Sequence, residues 1–254
     1  MPERIVNPLQ QQRALIDGKA VFHDTEVGVI QVTGADRVSW LHNVLTQDIQ
    51  SLRAGDSAES LLLDAHGHVE QRIGVICRDQ DFLLLVFGNK VVALAEWLNK
   101  MRFRSKVEVT DVSADFAVVS SWGEALTEAE ASWSDPWPAV VRGGVRYGQV
   151  PAEPWALVQN LVAVGSLASV LGVFATVDRS AIDALRIAAH RPDLAEVDEK
   201  TLPHELDWLT TAVHLTKGCY RGQETVAKVH NLGHPPRRLT FLDLDGVERS
   251  EEHT

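Results

Sequence analysis

Eight consecutive residues hold the densest chemistry in this 254-residue chain: Lys217-Gly218-Cys219-Tyr220-Arg221-Gly222-Gln223-Glu224. They combine a thiol, an ammonium, a guanidinium, a phenol, an amide and a carboxylate, spaced by two glycines. Glycine tolerates backbone conformations that other residues resist and lets a ligand approach the main chain. A thiol acts as a nucleophile or ligand through its thiolate, which nearby cations and a helix N-terminus favour. The following segment, Thr225 to His230, predicts a helix. Cys219 is therefore expected at or just before a helix N-terminus, with Lys217 and Arg221 adding positive charge. Two readings stay open for it: a functional thiol, or a small residue buried in a tight turn.

Charge singles out the same region. The chain carries a net charge of −11, which argues against non-specific binding to nucleic acid or an anionic membrane. Residues 217 to 238 nevertheless hold Lys217, Arg221, Lys228, Arg237 and Arg238 against Glu224 alone, a net +4. Such an island suits a local anionic ligand or a solvated basic face. The two cysteines, Cys77 and Cys219, imply no disulfide framework, and a reducing compartment, the cytoplasm, is expected. The first residues lack a signal-peptide pattern, and no apolar run approaches a membrane span. His214, Cys219, His230 and His234 are weighed as metal ligands and set aside. One Cys with three His is unusual for structural zinc, and His234 lies beyond the helix-ending Gly233. No dinucleotide fingerprint, Walker loop or serine-hydrolase elbow is present.

The elements that must position this stretch follow from periodicity. Residues 27 to 33 read as a strand, and 37 to 50 as an amphipathic helix after Asp36. Strands at 59 to 64, 69 to 78 and 82 to 87 form a meander, with His66 and His68 flanking Gly67 in a turn and Cys77 in the core. A helix at 90 to 101 and strands at 106 to 110 and 116 to 121 follow. The tryptophan-rich stretch from 122 to 138 reads as a long connection. Gly143-Gly144 suggests a hairpin between 139–142 and 145–149. A helical region is expected from Leu157 to Gly172 and a helix from Asp178 to Ala189. Strands mixed with helices and joined by short turns give an α+β fold, largely antiparallel. Leu239 to Leu244 opens a strand, but its partner is missing, and Arg249 to Thr254 reads as foreign to the native sequence.

The octapeptide Lys217-Gly218-Cys219-Tyr220-x-Gly222-Gln223-Glu224 resembles the signature of the YgfZ-type folate-binding proteins, relatives of the glycine-cleavage T-protein. Gly34-Ala35-Asp36, Trp40-Leu41 and Leu45-Thr46-Gln47-Asp48 are similar to that family's first helix. Leu61 to Val69 resembles its meander. Ala184 to Ala188 and Leu202 to Glu205 resemble the approach to the signature. The resemblance implies a two-lobed T-protein-like folate-binding fold over residues 1–238. The lobes are expected to interleave, with a meander lobe at about 56–121. It further implies a C-terminal β-barrel domain missing apart from its first strand at 239–248, and a foreign tail at 249–254.

By function, the resemblance implies tetrahydrofolate binding and a part in iron–sulfur cluster assembly or repair. Folate and cluster client or assembly proteins would be the partners of a monomer, with no metal ligands of its own. Cys219 and Lys217 would carry the chemistry. Gly218, Tyr220, Arg221, Gly222, Gln223, Glu224 and Arg186 would form the loop and folate contacts. Two alternatives remain: a folate-dependent aminomethyltransferase of the T-protein type, and a non-catalytic folate-binding module. The chain departs from the transferase pattern. Gln71 and Arg72 stand where the transferase has aspartates, and Ala188-Ala189-His190 stands where a glutamate would contact the pterin.

Overall fold

The computed structural model describes residues 5–150 and 153–242. In chain order the elements are α1 (Pro8–Ile16), β1 (Ala20–Asp24), β2 (Gly28–Thr33), α2 (Arg37–Val44), β3 (Ser57–Leu63), β4 (Val69–Cys77), β5 (Phe82–Val86), α3 (Val91–Lys100), β6 (Glu108–Asp111), β7 (Phe116–Trp122), β8 (Ala131–Ser134), β9 (Leu157–Ala163), α4 (Leu167–Val173), β10 (Ala175–Thr176), α5 (Arg179–Ala188) and α6 (Gln223–Leu232). The strands form two five-stranded sheets, ordered β10-β1-β7-β9-β8 and β3-β4-β5-β2-β6. Among the described residues, only the short β1–β10 pairing is parallel. The α+β class and the antiparallel sheets are as read from the sequence.

Period-two alternation explains how the second sheet is sandwiched. Phe82, Leu84 and Val86 pack with Ile73, Val75 and Cys77 against Trp40 and Leu41 of α2 and Leu94 and Leu98 of α3. Leu83, Leu85 and Phe87 face the other way, onto Val118, Trp133 and Leu161 of the first sheet. Trp133 reaches across, and its indole N–H donates to the Ala58 carbonyl at 2.7 Å. Gly74 makes room for it: a Cβ there would lie 3.1 Å from the indole.

Several expectations need correction. The meander is present, but the lobe does not run on through 116–121. β7 pairs with β1 and β9 in the first sheet, while β2 enters the second sheet between β5 and β6. The stretch read as helical from Leu157 starts as strand β9, and its helix is only α4. β9 is buried on both faces, so it lacks the alternation that would have marked it. Gly143-Gly144 makes a turn without a hairpin. The N–H groups of Val141 and Val145 donate to the carbonyls of Thr210 and Leu209 rather than to each other. Residues 239 to 242 lie in irregular structure, with the Leu239 N–H donating to the Glu205 carbonyl at 2.9 Å. The rest of the expected barrel strand and the tail at 249–254 lie outside the described residues.

A cluster of buried charge joins the sheets. Glu59 on β3 is fully buried. It accepts from Arg72 Nε on β4 at 2.6 Å, from Arg191 Nη2 and from the Thr211 hydroxyl. Asp135, just after β8, accepts from Arg72 Nη2 at 3.1 Å and Arg191 Nε at 3.0 Å. Each carboxylate thus sits between the same two guanidinium groups. Arg72 also lies 4.3 Å from the Phe87 ring centroid and 5.5 Å from that of Trp133. Burial pushes the Glu59 carboxyl up, but Arg191, Arg72 and the Thr211 hydroxyl outweigh it and hold the group well below its ordinary value.

Replacing Glu59 by Gln leaves two buried guanidinium groups short of a counter-charge, an expected loss of about 3–5 kcal/mol in urea unfolding. The depressed folded-state pKa fixes the sign of the pH effect. Stabilisation from Glu59 is complete above the unfolded value of 4.5 and is lost as pH falls through the folded one. The Glu59→Gln protein therefore has a flatter stability profile below pH 4.5. An unfolding midpoint equal to wild type would refute the account.

Candidate functional site

The Cys219 loop rests on a third hydrophobic cluster. Leu61 and Leu63 of β3 and Val69 of β4 pack with Leu206, Trp208, Leu209, Val213, Tyr220 and Val226. The segment after α2, expected as helix, leaves it at Val44 and becomes a bracket. The Thr46 hydroxyl donates to the Ala212 carbonyl at 2.7 Å and accepts the Leu61 N–H at 2.8 Å. The Gln47 amide donates to the Thr211 carbonyl at 2.9 Å. The His214 N–H donates to the Thr46 carbonyl at 3.0 Å. In the sequence Leu45-Thr46-Gln47-Asp48 stands out only through the family resemblance, and its bracing role does not. The signal was available: short polar residues closing an amphipathic helix are suited to bonding backbone groups.

Lys217 is the peg of the loop. Its ammonium is buried and donates to the carbonyls of His42 and Leu45, and to that of Gln47 at 3.0 Å. Three donors meet three carbonyls at and just beyond the end of α2. Burial pushes this group down to about 8, with Asp48 acting the other way. Tyr220 is buried in the cluster, its ring 5.2 Å from the ammonium, and burial raises its phenol. The Gln223 amide donates to the Lys217 carbonyl at 3.3 Å and the Gln223 N–H to the Tyr220 carbonyl at 3.2 Å. Gly222 caps α6 with φ +82°. A Cβ there would lie 2.7 Å from both the Asp64 carbonyl and Gly67 Cα. Gly222 thus serves close packing of the meander turn, whereas Gly218 faces open space. Glu224 is exposed on the first turn of α6.

Cys219 is exposed and free. It lies before the Gly222 cap, not in the first turn of α6, and it is not the buried turn residue of the alternative reading. The expected cationic neighbours are committed elsewhere. Lys217 holds the α2 carbonyls. Arg221 pairs with Glu70 at 2.9 Å and lies 5.6 Å from the Trp97 ring centroid. The basic island is also answered in part by acids distant in sequence. Arg237 pairs with Asp198 at 2.7 Å and Glu205 at 2.8 Å.

Two cavities open next to the charge cluster. One of about 180 Å³ lies among Arg72, Phe87, Trp133, Asp135 and Asp193. One of about 470 Å³ is lined by Trp137, Tyr147, His190, His204, Arg238 and Phe241, among others. Arg186 and Arg191 line both. Arg186 is held by Glu196, at 2.9 and 3.0 Å, and by the Arg191 carbonyl at 3.0 Å. None of residues 217–224 lines either cavity. The structure therefore gathers Lys217, Tyr220, Gly222 and Gln223 around Cys219 as supports and puts Arg186 at a separate place. Among the described residues, no group of three or more His, Cys, Asp or Glu is placed to hold a metal. No helix of the described residues is long and apolar enough to cross a membrane.

Comparison with known proteins gives a consistent picture. A family model described as the GCVT N-terminal domain matches residues 9–129. An iron-sulfur cluster assembly factor IBA57 homolog, mitochondrial, from Mycosarcoma maydis is 25% identical over 239 residues, covering 85% of this chain and 55% of its own length. The tRNA-modifying protein YgfZ of Colwellia psychrerythraea is 25% identical over 228 residues, covering 86% of this chain and 70% of its own. The chain thus spans little more than half of the IBA57 homolog. Among solved structures, the glycine cleavage system aminomethyltransferase T from Bartonella henselae superposes with a TM-score of 0.68 at 16% identity. That match covers 90% of this chain and 67% of the other.

Replacing Lys217 by Met removes three buried hydrogen bonds at once, and a loss of about 2–4 kcal/mol is expected in urea unfolding. Gly222→Ala forces a side chain into the left-handed region and against the Asp64 carbonyl, an expected loss of about 1–3 kcal/mol. Gly218→Ala, facing open space, is the control and should stay near wild type. Equal unfolding midpoints for the two glycine variants would contradict the packing described.

Proposed function

Since residues 9–129 match the family model described as the GCVT N-terminal domain, we propose that this chain is a folate-binding accessory protein in iron–sulfur cluster assembly or repair, with Cys219 as its working thiol. One observation carries the reading: the octapeptide immobilises its own Lys217, Tyr220 and Gln223 while leaving Cys219 exposed. A thiol offered to solvent on a rigid base is placed to meet a partner's sulfur, cluster or metal. Conformational entropy is then lost in folding rather than at the encounter. The relative named as an iron-sulfur cluster assembly factor supports the same class of client.

The larger cavity suits a folate. Its 470 Å³ falls within the roughly 300–1,000 Å³ usual for small-molecule sites, while the 180 Å³ cavity falls below. Trp137, Tyr147 and Phe241 offer flat apolar walls, and Arg238 offers a guanidinium for a carboxylate tail. Bound there, a reduced folate would supply one-carbon chemistry. The chain's own contribution would be to orient the ring system and pair its tail. Arg186 would act as a fixed wall element, since Glu196 already takes its terminal nitrogens.

Aminomethyl transfer is the weaker reading. At the β4 positions where a carboxylate would be needed, Gln71 is tied to the carbonyls of Arg72 and Phe87, and Arg72 belongs to the charge cluster. Glu70 is spent on Arg221.

In a strain deleted for the gene, Cys219→Ala is expected to leave cluster-enzyme activity at the deletion level. The variant's unfolding midpoint should match wild type, because the thiol is exposed and holds nothing. Full rescue by Cys219→Ala would overturn the role assigned to the thiol. Calorimetry with the full-length protein should show tetrahydrofolate binding that survives this substitution.

A further inference from the structure

We propose that the turn at 101–106, just past α3, is a docking knob for a partner protein. Phe103 enters an apolar socket on that partner, and carboxylates round the socket meet Lys100, Arg104 and Lys106. The partner's class, a cluster client or assembly protein, rests on the function proposed above. The knob itself is read from exposure, backbone strain and unanswered charge.

Phe103 is 84% exposed, more than any other large hydrophobic residue among those described. Its φ of +45° lies in the left-handed region, where a bulky side chain is a steric outlier. Both features cost stability, since the ring forgoes burial and the backbone is strained. The turn is nonetheless built to hold them. The Ser105 N–H donates to the Arg102 carbonyl at 2.8 Å. Arg102 Nη1 donates to the Val107 carbonyl at 3.2 Å, and the Trp40 indole N–H to the Met101 carbonyl at 3.1 Å. Arg102 is thereby spent inside the turn, and Phe103 is left at its tip. A fixed aromatic of this kind anchors a partner with little further loss of entropy.

Charge names the socket's rim. Residues 100–106 hold Lys100, Arg102, Arg104 and Lys106 and no acid. Among the described residues, the side chains of Lys100, Arg104 and Lys106 make no hydrogen bond or ion pair. Asp36 meets the turn through the Lys106 backbone N–H at 2.7 Å, not through the ammonium. Arg221 and Arg237, by contrast, are answered by carboxylates. Three free cations around one aromatic ring complement an apolar socket with an acidic rim. Nucleic acids and anionic membranes are also negative, but as extended surfaces, which repel the rest of a chain of net charge −11. A folded protein can confine its acids to a patch of the knob's size.

The knob also lies close to the thiol loop. The Met101 N–H donates to the Trp97 carbonyl at 3.0 Å, so Trp97 stands one helical turn before the knob. Arg221, two residues after Cys219, lies 5.6 Å from the Trp97 ring centroid. A partner seated on Phe103 needs to extend only roughly 5 Å along α3 to reach the residue that Arg221 covers.

The experiment uses the full-length protein in the deletion strain, with photoreactive p-benzoylphenylalanine at position 103. Irradiation should trap a protein there. Carbodiimide, which joins amines to carboxylates in contact, should link Lys100 or Lys106 to Asp or Glu of that same protein. Lys100→Glu combined with Lys106→Glu should cut the trapping at least about tenfold, and changing the linked carboxylates to Lys should restore part of it. Phe103→Gly relieves the left-handed strain, so its unfolding midpoint should equal or exceed wild type. Cluster-enzyme activity in that variant should nevertheless fall at least about threefold. A lowered midpoint would make Phe103 a structural residue and overturn the knob. Trapping of RNA, of phospholipid or of nothing would overturn the protein partner, as would a trapped protein without linked carboxylates. Full activity of Phe103→Gly with none in Cys219→Ala would overturn the knob and leave the thiol reading intact. The reverse pattern would uphold the knob and overturn the thiol, and full activity of both variants would overturn both.

Discussion

The cluster of Glu59, Arg72, Asp135 and Arg191 sets the terms for the rest of the molecule. Charges removed from water are tolerated only when each is matched at hydrogen-bond distance. Here the matching is crossed: both carboxylates touch both guanidinium groups. Glu59 and Arg72 come from neighbouring strands of one sheet, Asp135 follows the edge strand of the other, and Arg191 follows α5. No member can shift without leaving another unpaired. The cluster therefore fixes how the two sheets face each other more sharply than apolar contacts could, since those tolerate sliding and repacking.

From this cluster a line of hydrogen bonds runs to the exposed thiol. Thr211 donates to Glu59, and its own carbonyl accepts from Gln47. The Gln47 carbonyl in turn accepts from Lys217, two residues before Cys219. Every group in this line except the thiol is buried. By sequence alone Lys217 is expected to act on the thiol through charge. It acts on the thiol's position, by closing the end of α2 and fixing where the loop leaves the core.

The sequence disclosed elements with strong local signals. The meander strands, α3, α5 and α6 follow from alternation or helical spacing and lie close to their expected ranges. It failed where the deciding partner is remote. β9 is buried on both faces, so its apolar residues fit a helix as well as a strand. Gly143-Gly144 carries a turn signal, yet the flanking N–H groups find Leu209 and Thr210 instead of a hairpin partner. The basic island was counted correctly, but its acids sit at Glu70, Asp198 and Glu205, which net charge over a window cannot show. The octapeptide was legible as a unit because its residues act on one another. Of its two glycines, Gly222 admits the meander turn at Gly67 rather than a ligand.

The thiol and the larger cavity stand apart, yet one helix serves both. The Gly222 cap and Gln223 at the start of α6 tie it to the Cys219 loop. Further along, the Val226 carbonyl accepts from His204, and His230 Nδ1 pairs with the Tyr147 hydroxyl. His204 and Tyr147 are both cavity wall. The hydrogen bond that fixes the His204 tautomer is thus made by the helix whose first turn follows the thiol loop. Rigid elements and their hydrogen bonds carry coupling between sites when they have two arrangements to choose from. In this molecule α6 is the element that joins the cavity wall to the Cys219 loop, and Lys217 pins the other end of that loop to the end of α2.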